Sequence, residues 1–366
     1  FLMIRRPPRS TPRQGRRQRQ MCIRDSTHPG NIIVYKELTI ESQSGSASTI
    51  IDASVVDYST YANSYGHGIN YAWAETSDPG LLKNGFMIWS DNVIIDGFKI
   101  INADFSSSYN RGIGILIGSI HTTYAGFIPW NIDQWGGIIP NPDEPTPSGV
   151  IIMNNIIDGA SDGIYNWMSN GNTIEYNNII NTLAVGGNGI QCYEGGTDNI
   201  IRGNTMDNIA GAGISICGAW PDILLDCSNT LVYDNTVTNS NWGIQFYNMG
   251  GSGVEAYYNY LLNNNIGIVV EGVGDATVGI AYENNIVGNS QYGIINTCPT
   301  GMFIEKCNWW GASDGPSTVG PGSGDTVSND VAFCPWLDGS YPGGTCIGGS
   351  VAHNINKDIW YCCIQC

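Results

Sequence analysis

Short runs in which apolar and polar residues alternate recur along most of the chain: NTIEYN, NTLVYD and GIQFYN are typical. Alternation at period 2 predicts strands, with one set of side chains facing a core and the other facing outward. Every run is bounded by Gly or Asn, which accept the left-handed backbone of sharp turns. No periodicity of 3.6 competes with this pattern, and no run of about 18 apolar residues suggests a transmembrane helix.

The runs are organised by an internal repeat. Seven successive units place an asparagine at one turn: Asn155, Asn178, Asn204, Asn235, Asn259, Asn285 and Asn308. A Gly-Ile pair follows six of them, at Gly163-Ile164, Gly189-Ile190, Gly213-Ile214, Gly243-Ile244, Gly267-Ile268 and Gly293-Ile294. Units of about 23–26 residues hold three short strands and three turns. Stacked in parallel they give an all-β fold, a right-handed parallel β-helix of about ten coils, regular from residue 150 to 308. The recurring asparagines are expected to stack as a hydrogen-bonded ladder that satisfies backbone groups at the bend, a structural role. Upstream, strands read at 31–42, 48–54, 85–90, 92–100 and 112–118, interrupted by insertions at 54–84 and 119–148.

Two segments depart from the repeat. Residues 1–26 hold eight of the fifteen basic residues and resemble translated sequencing-adapter read-through, so we expect them to be extraneous and disordered. The helix is then expected over 27–346. Residues 347–366 include NINKDIWYCCIQ, which resembles the start of a following module of the same kind, a resemblance that implies further modules of the same chain as partners. Residues 27–366 carry seven basic and 31 acidic residues, a formal charge of −24. Such a body repels nucleic acid and anionic membranes and points to cations or neutral glycans as partners.

Cys217/Cys227, Cys298/Cys307 and Cys334/Cys346 lie in near-sequence pairs and are candidate disulfides in an oxidising compartment, with buried thiols as the alternative. His28, His67, His121 and His353 are scattered, which argues against a copper or zinc centre.

With the isoleucine of each Gly-Ile pair facing inward, alternation turns Tyr165, Trp167, Gln191, Tyr193, Ser215, Gln245, Tyr247, Val269 and Glu271 outward. Tyr165, Trp167, Gln191, Tyr193, Gln245, Tyr247 and Glu271 are candidates for contacting sugars, since rings stack on C–H faces and amides bond hydroxyls. No cofactor is demanded; calcium is the candidate ion, on Glu194, Asp198, Glu271 and Asp275. For catalysis, Asp158 and Asp162 are the nearest approach to a carboxylate pair, and Arg111 is the base candidate beside a long insertion.

NIIVYKELTIESQSGSASTIIDAS (31–54) resembles the opening coils of pectin-lyase-like, right-handed β-helix repeat proteins of bacterial and archaeal surfaces. CNWWGASDGPS and GDTVSNDVAFCPWLDG, within 307–339, resemble the closing segment of such modules. The periplasmic copper-binding NosD-like and carbohydrate-binding β-helix families share this grammar. The resemblance implies an extracellular or cell-surface module that contacts polysaccharide as a structural or adhesive element. Its competitors are a polysaccharide lyase or glycoside hydrolase on the same scaffold, and a purely structural S-layer or stalk spacer.

Overall fold

The computed structural model describes residues 19–23, 25–30, 32–54, 83–104, 112–118, 131–132, 138–139, 146–183, 187–218, 224–347, 351–354 and 359–362. Across them the chain winds as a right-handed parallel β-helix with three long parallel sheets. Each coil contributes one strand to sheet A, one to sheet B and one to sheet C, as in Ile151–Met153, Ile156–Asp158 and Asp162–Trp167. Sheet A runs from Arg19–Ile23 to Val331–Ala332, sheet B from Thr27–Pro29 to Asn285–Val287, and sheet C from Ile32–Val34 to the Pro316–Thr318/Gly324–Val327 pair. The first coil therefore opens inside the segment expected to be disordered. Arg19–Ile23 pairs in parallel with Leu38–Ser42, and Ile23 is buried in the common core with Met21 against it.

The core is one continuous column of inward side chains. In sheet A it passes through Ile40, Ile95, Ile152, Ile174, Ile201, Val232, Ala256 and Ala281, all buried. The Gly-Ile repeat has a steric cause. A Cβ on Gly114 would lie 2.6 Å from the Gly163 carbonyl oxygen and 2.6 Å from Ile157 Cγ2. The turn into sheet C brings backbone against core, and only glycine fits there.

The asparagine ladder follows the sheet A to sheet B turn. Each ladder Oδ1 accepts the backbone N–H and, from Asn177 onward, also the Nδ2–H of the preceding rung, at 2.8–3.1 Å, through Asn155, Asn177, Asn204, Asn235, Asn259, Asn284 and Asn308. Two expected rungs are displaced by one residue: Asn177 and Asn284 occupy the ladder, whereas Asn178 and Asn285 open the next strands. The rung always stands two residues before an inward side chain, such as Ile179 or Ile286, and that spacing resolves the Asn-Asn doublets.

Outside the core, sheet A stacks Tyr233, Tyr257 and Tyr282 in register, with ring centroids 5.0 Å apart at each step. Arg202 closes one end, bonded to the Tyr233 hydroxyl and paired with Glu175, and Lys306 lies over Tyr282 at the other.

The cysteines pair differently from their sequence neighbours. Cys307 is joined to Cys346, 39 residues on, tying the last long sheet A strand to the Trp336–Leu337/Cys346–Ile347 antiparallel pair. Cys334 is also disulfide-bonded, to a partner other than Cys346. Cys217 and Cys227 are both thiols, as is Cys298. Cys217 lies on the outer side of its strand and Cys227 in the core, so they face opposite sides of the sheet wall. At the end of the described chain, Val351–Asn354 and Ile359–Cys362 pair as antiparallel strands.

Candidate functional site

The outer face of sheet C carries most of the candidates, and it divides in two. Over the early coils it is apolar. Met87, Ile113, Leu116, Tyr165 and Trp167 form a second buried cluster, separate from the core, with Ile33, Trp89 and Tyr193 packed against it. Trp167 is fully buried and donates its Nε1–H to Glu194 Oε2 at 2.6 Å. Gln191 is 5% exposed and Tyr165 is 6% exposed, so these three face outward from the sheet without facing solvent. Alternation fixes the direction of a side chain; it does not reveal what lies over the sheet.

From the coil of Ala212–Cys217 onward the face opens and becomes mixed. Register aligns Ser215, Gln245, Val269 and Ile295 in one row, and Cys217, Tyr247 and Glu271 in a second. A third row, Ala212, Trp242, Ile266 and Tyr292, precedes the glycines. Trp242, Gln245, Tyr247, Glu271 and Tyr292 are each partly exposed. Ser215 Oγ donates to Gln245 Oε1 at 2.8 Å, and Gln245 Nε2 donates to Glu271 Oε1 at 2.7 Å. Trp242 and Tyr292 lie outside the stripe that alternation predicts, because that stripe begins at the isoleucine and both aromatics precede the glycine. The signal was present in NWGI and QYGI, where an aromatic stands immediately before the inward-facing glycine.

The remaining candidates do not assemble. Asp158 stands on sheet B, accepting from Asn181 and facing Lys99 at 3.6 Å. Asp162 is buried on sheet C and accepts the Asn188 backbone N–H. A turn at Gly159, with φ +75°, puts the two carboxylates on different sheets. Arg111 lies outside the described residues. Of the calcium candidates, Glu194 Oε2 accepts from Trp167 and Glu271 Oε1 accepts from Gln245. Asp198 accepts from Asn229 and Thr197, which hold its carboxyl below the usual range. Asp275 caps the short 3₁₀ turn Ala276–Val278 and is held low by the Thr277 N–H and hydroxyl. Among the described residues no group of three or more His, Cys, Asp or Glu side chains is placed to hold a metal.

The three parallel sheets, the stacked amide ladder and the glycine-lined turn define a right-handed parallel β-helix. Within it, residues 144–277, just over a third of the chain, match the family described as periplasmic copper-binding protein (NosD). No curated protein matches the chain by sequence. Among solved structures it is similar to a variant of the periplasmic alginate epimerase AlgG (14% identity, TM-score 0.46, 76% of this chain and 55% of that one). It is also similar to the A-module of the Azotobacter vinelandii mannuronan C-5 epimerase AlgE6 (14%, 0.41, 85% and 90%). A third is the catalytic domain of a GH87 α-1,3-glucanase (12%, 0.43, 84% and 58%). The chain thus spans about half the length of the AlgG structure.

The residues in the matched segment do not fit a copper centre. It contains no histidine. Cys192 and Cys227 are sealed in the core, where burial pushes each thiol up to about 12, and Cys217 lies on the outer side. Copper sites need thiolate, thioether or imidazole ligands converging on one point, and the methionines of the segment are dispersed: Met206 and Met249 in the core, Met168 beside the outer cluster of sheet C and Met153 on sheet A.

Proposed function

We propose that this chain is a β-helix module working outside the cytoplasm, which contacts polysaccharide through the open half of sheet C as a structural or adhesive element. The observation that carries this reading is the in-register face of Trp242, Gln245, Tyr247, Glu271 and Tyr292, partly exposed on a rigid parallel sheet. Aromatic rings supply apolar surface for the C–H faces of sugars, while an amide and a carboxylate meet the hydroxyls. The Cys307–Cys346 disulfide supports an oxidising location, periplasmic or extracellular. The position of Asp158 and Asp162 on different sheets supports reading binding ahead of lyase or hydrolase chemistry.

Glycan-array binding run beside reducing-sugar and unsaturated-uronate assays tests this directly. Retention on glycans without turnover is the expected result. Calcium-dependent release of unsaturated product would establish a lyase instead, and a chain that neither binds nor turns over any glycan would be a spacer.

A further inference from the structure

We infer that the open half of sheet C is selective for uncharged, hydroxyl-rich glycans and excludes polyuronates. This rests on the reading of that face as glycan-contacting and adds the chemical class of the ligand.

The first argument is hydrogen-bond polarity. The relay Ser215→Gln245→Glu271 runs in one direction and ends on a carboxylate. It uses the Gln245 carbonyl oxygen and one of its N–H groups, and one oxygen of Glu271. The second Glu271 oxygen stands outside the relay on a partly exposed side chain. A carboxylate accepts only, so the strongest polar group the face offers calls for a donor. Sugar hydroxyls are donors, and a uronate replaces the C6 hydroxyl donor of a neutral hexose with an ionised carboxylate, another acceptor.

The second argument is charge. Glu271 stands on the face and Asp275 follows four residues later at its edge, where its hydrogen bonds to Thr277 favour the ionised form. The basic side chains described elsewhere are committed or distant. Lys99 projects from sheet B toward Asp158, Arg202 from sheet A to Glu175, and Lys306 from sheet A over Tyr282. Lys36 and Lys83 belong to the first coils, several turns of the helix away. A uronate laid across Trp242 and Tyr247 would set its carboxylates against like charge with no cation among the described residues to offset them, which disfavours the wrong partner strongly. A neutral glycan meets the same aromatic rows without that penalty.

The test uses the full chain in affinity electrophoresis, with glucan, galactomannan and arabinoxylan as neutral probes and alginate and polygalacturonate as anionic ones. Each probe is run with calcium and with a chelator. At least one neutral glycan should retard the chain in both conditions, and neither uronate should. Trp242→Ala and Tyr247→Ala should each weaken the neutral interaction about tenfold. Glu271→Gln, which removes charge but keeps an acceptor, should hold neutral binding within about threefold and give measurable uronate binding. Thermal unfolding checks each variant; if Trp242→Ala does not fold, the tryptophan fluorescence change of the unaltered chain on adding the neutral glycan replaces it. Uronate binding equal to or tighter than neutral binding, with or without calcium, overturns the selectivity while leaving the glycan-contacting reading intact. Failure of every probe, or neutral binding indifferent to all three substitutions, removes that underlying reading.

Discussion

The amide ladder has a direction. Each Nδ2–H from Asn155 to Asn284 donates to the Oδ1 of the next rung, so the final amide, Asn308, requires a different acceptor. Glu305 provides it. This residue takes the inward position that Ala281 holds one coil earlier, it is buried, and its Oε2 accepts the Asn308 Nδ2–H. Its Oε1 has no hydrogen-bond partner among the described residues. Burial drives the Glu305 carboxyl well above its ordinary value of 4.5, against the lowering effect of Asn308. The folded state therefore holds this proton more tightly than the unfolded chain does. Stability from this group is complete below about pH 4.5 and is lost as pH rises toward the folded value. Urea unfolding across that range should show a decline in the parent that Glu305→Gln flattens, leaving the variant the more stable of the two at neutral pH. The ladder itself is tested by contrast. Asn204→Ala strips acceptors from the Asn177 N–H and Nδ2–H, and should cost about 2–3 kcal/mol in the same assay. Asn178→Ala should cost about 0.5 kcal/mol or less, because that side chain is not a rung. Sequence periodicity located each rung to within one residue. Where Asn is doubled, as at 177–178 and 284–285, only the distance to the next inward side chain decides.

At the scale of elements, strands and turns were legible because alternation and glycine positions answer to local sterics. What covers a sheet, and which cysteines meet, were not. Trp167 reads as an outward aromatic and is outward, yet it is buried beside Tyr165 and Leu116 over the early coils. Trp242 occupies an analogous outer surface three coils later and is partly exposed. Disulfide pairing depends on how the chain returns after the last regular coil. Cys307 sits at a turn with φ +54°, and the segment carrying Cys346 is brought back by the pairing of Trp336–Leu337 with Cys346–Ile347. The bond closes a 39-residue excursion that contains Trp310, Val327, Val331 and Trp336, all buried against the end of the core. Cys307→Ser with Cys346→Ser should lower unfolding stability by about 3 kcal/mol, read by the shift in urea midpoint. The same change should leave a chain still able to enter the β-form detected by circular dichroism, since most coils lie upstream of the bond.

Across the regular coils from 150 to 308, each coil pairs its strands with those of the coils before and after it, and the contacts joining them recur from level to level: parallel strand pairs, one amide rung and one glycine–carbonyl approach. The regularity is what made the architecture readable from one sequence, and also what kept function faint. A repeat selected for stacking repeats the same residues whether or not a ligand is present; the individual signals, Trp242 and Tyr292, stand where the repeat does not prescribe a residue. The rung also sets a quantum of inheritance. Because each asparagine accepts from the rung before and donates to the rung after in the same way, a duplication or loss in the gene that begins and ends at equivalent rungs rebuilds every junction. Unequal crossing-over can therefore lengthen or shorten such a protein one coil at a time without an intermediate that fails to fold. A break between positions that are not equivalent in the repeat misaligns all three sheets at once. Insertions as large as those at 54–84 and 119–148 are tolerated for the related reason that they leave a turn and return to it, keeping Leu38–Ser42, Ile94–Asp96 and Ile151–Met153 adjacent in sheet A.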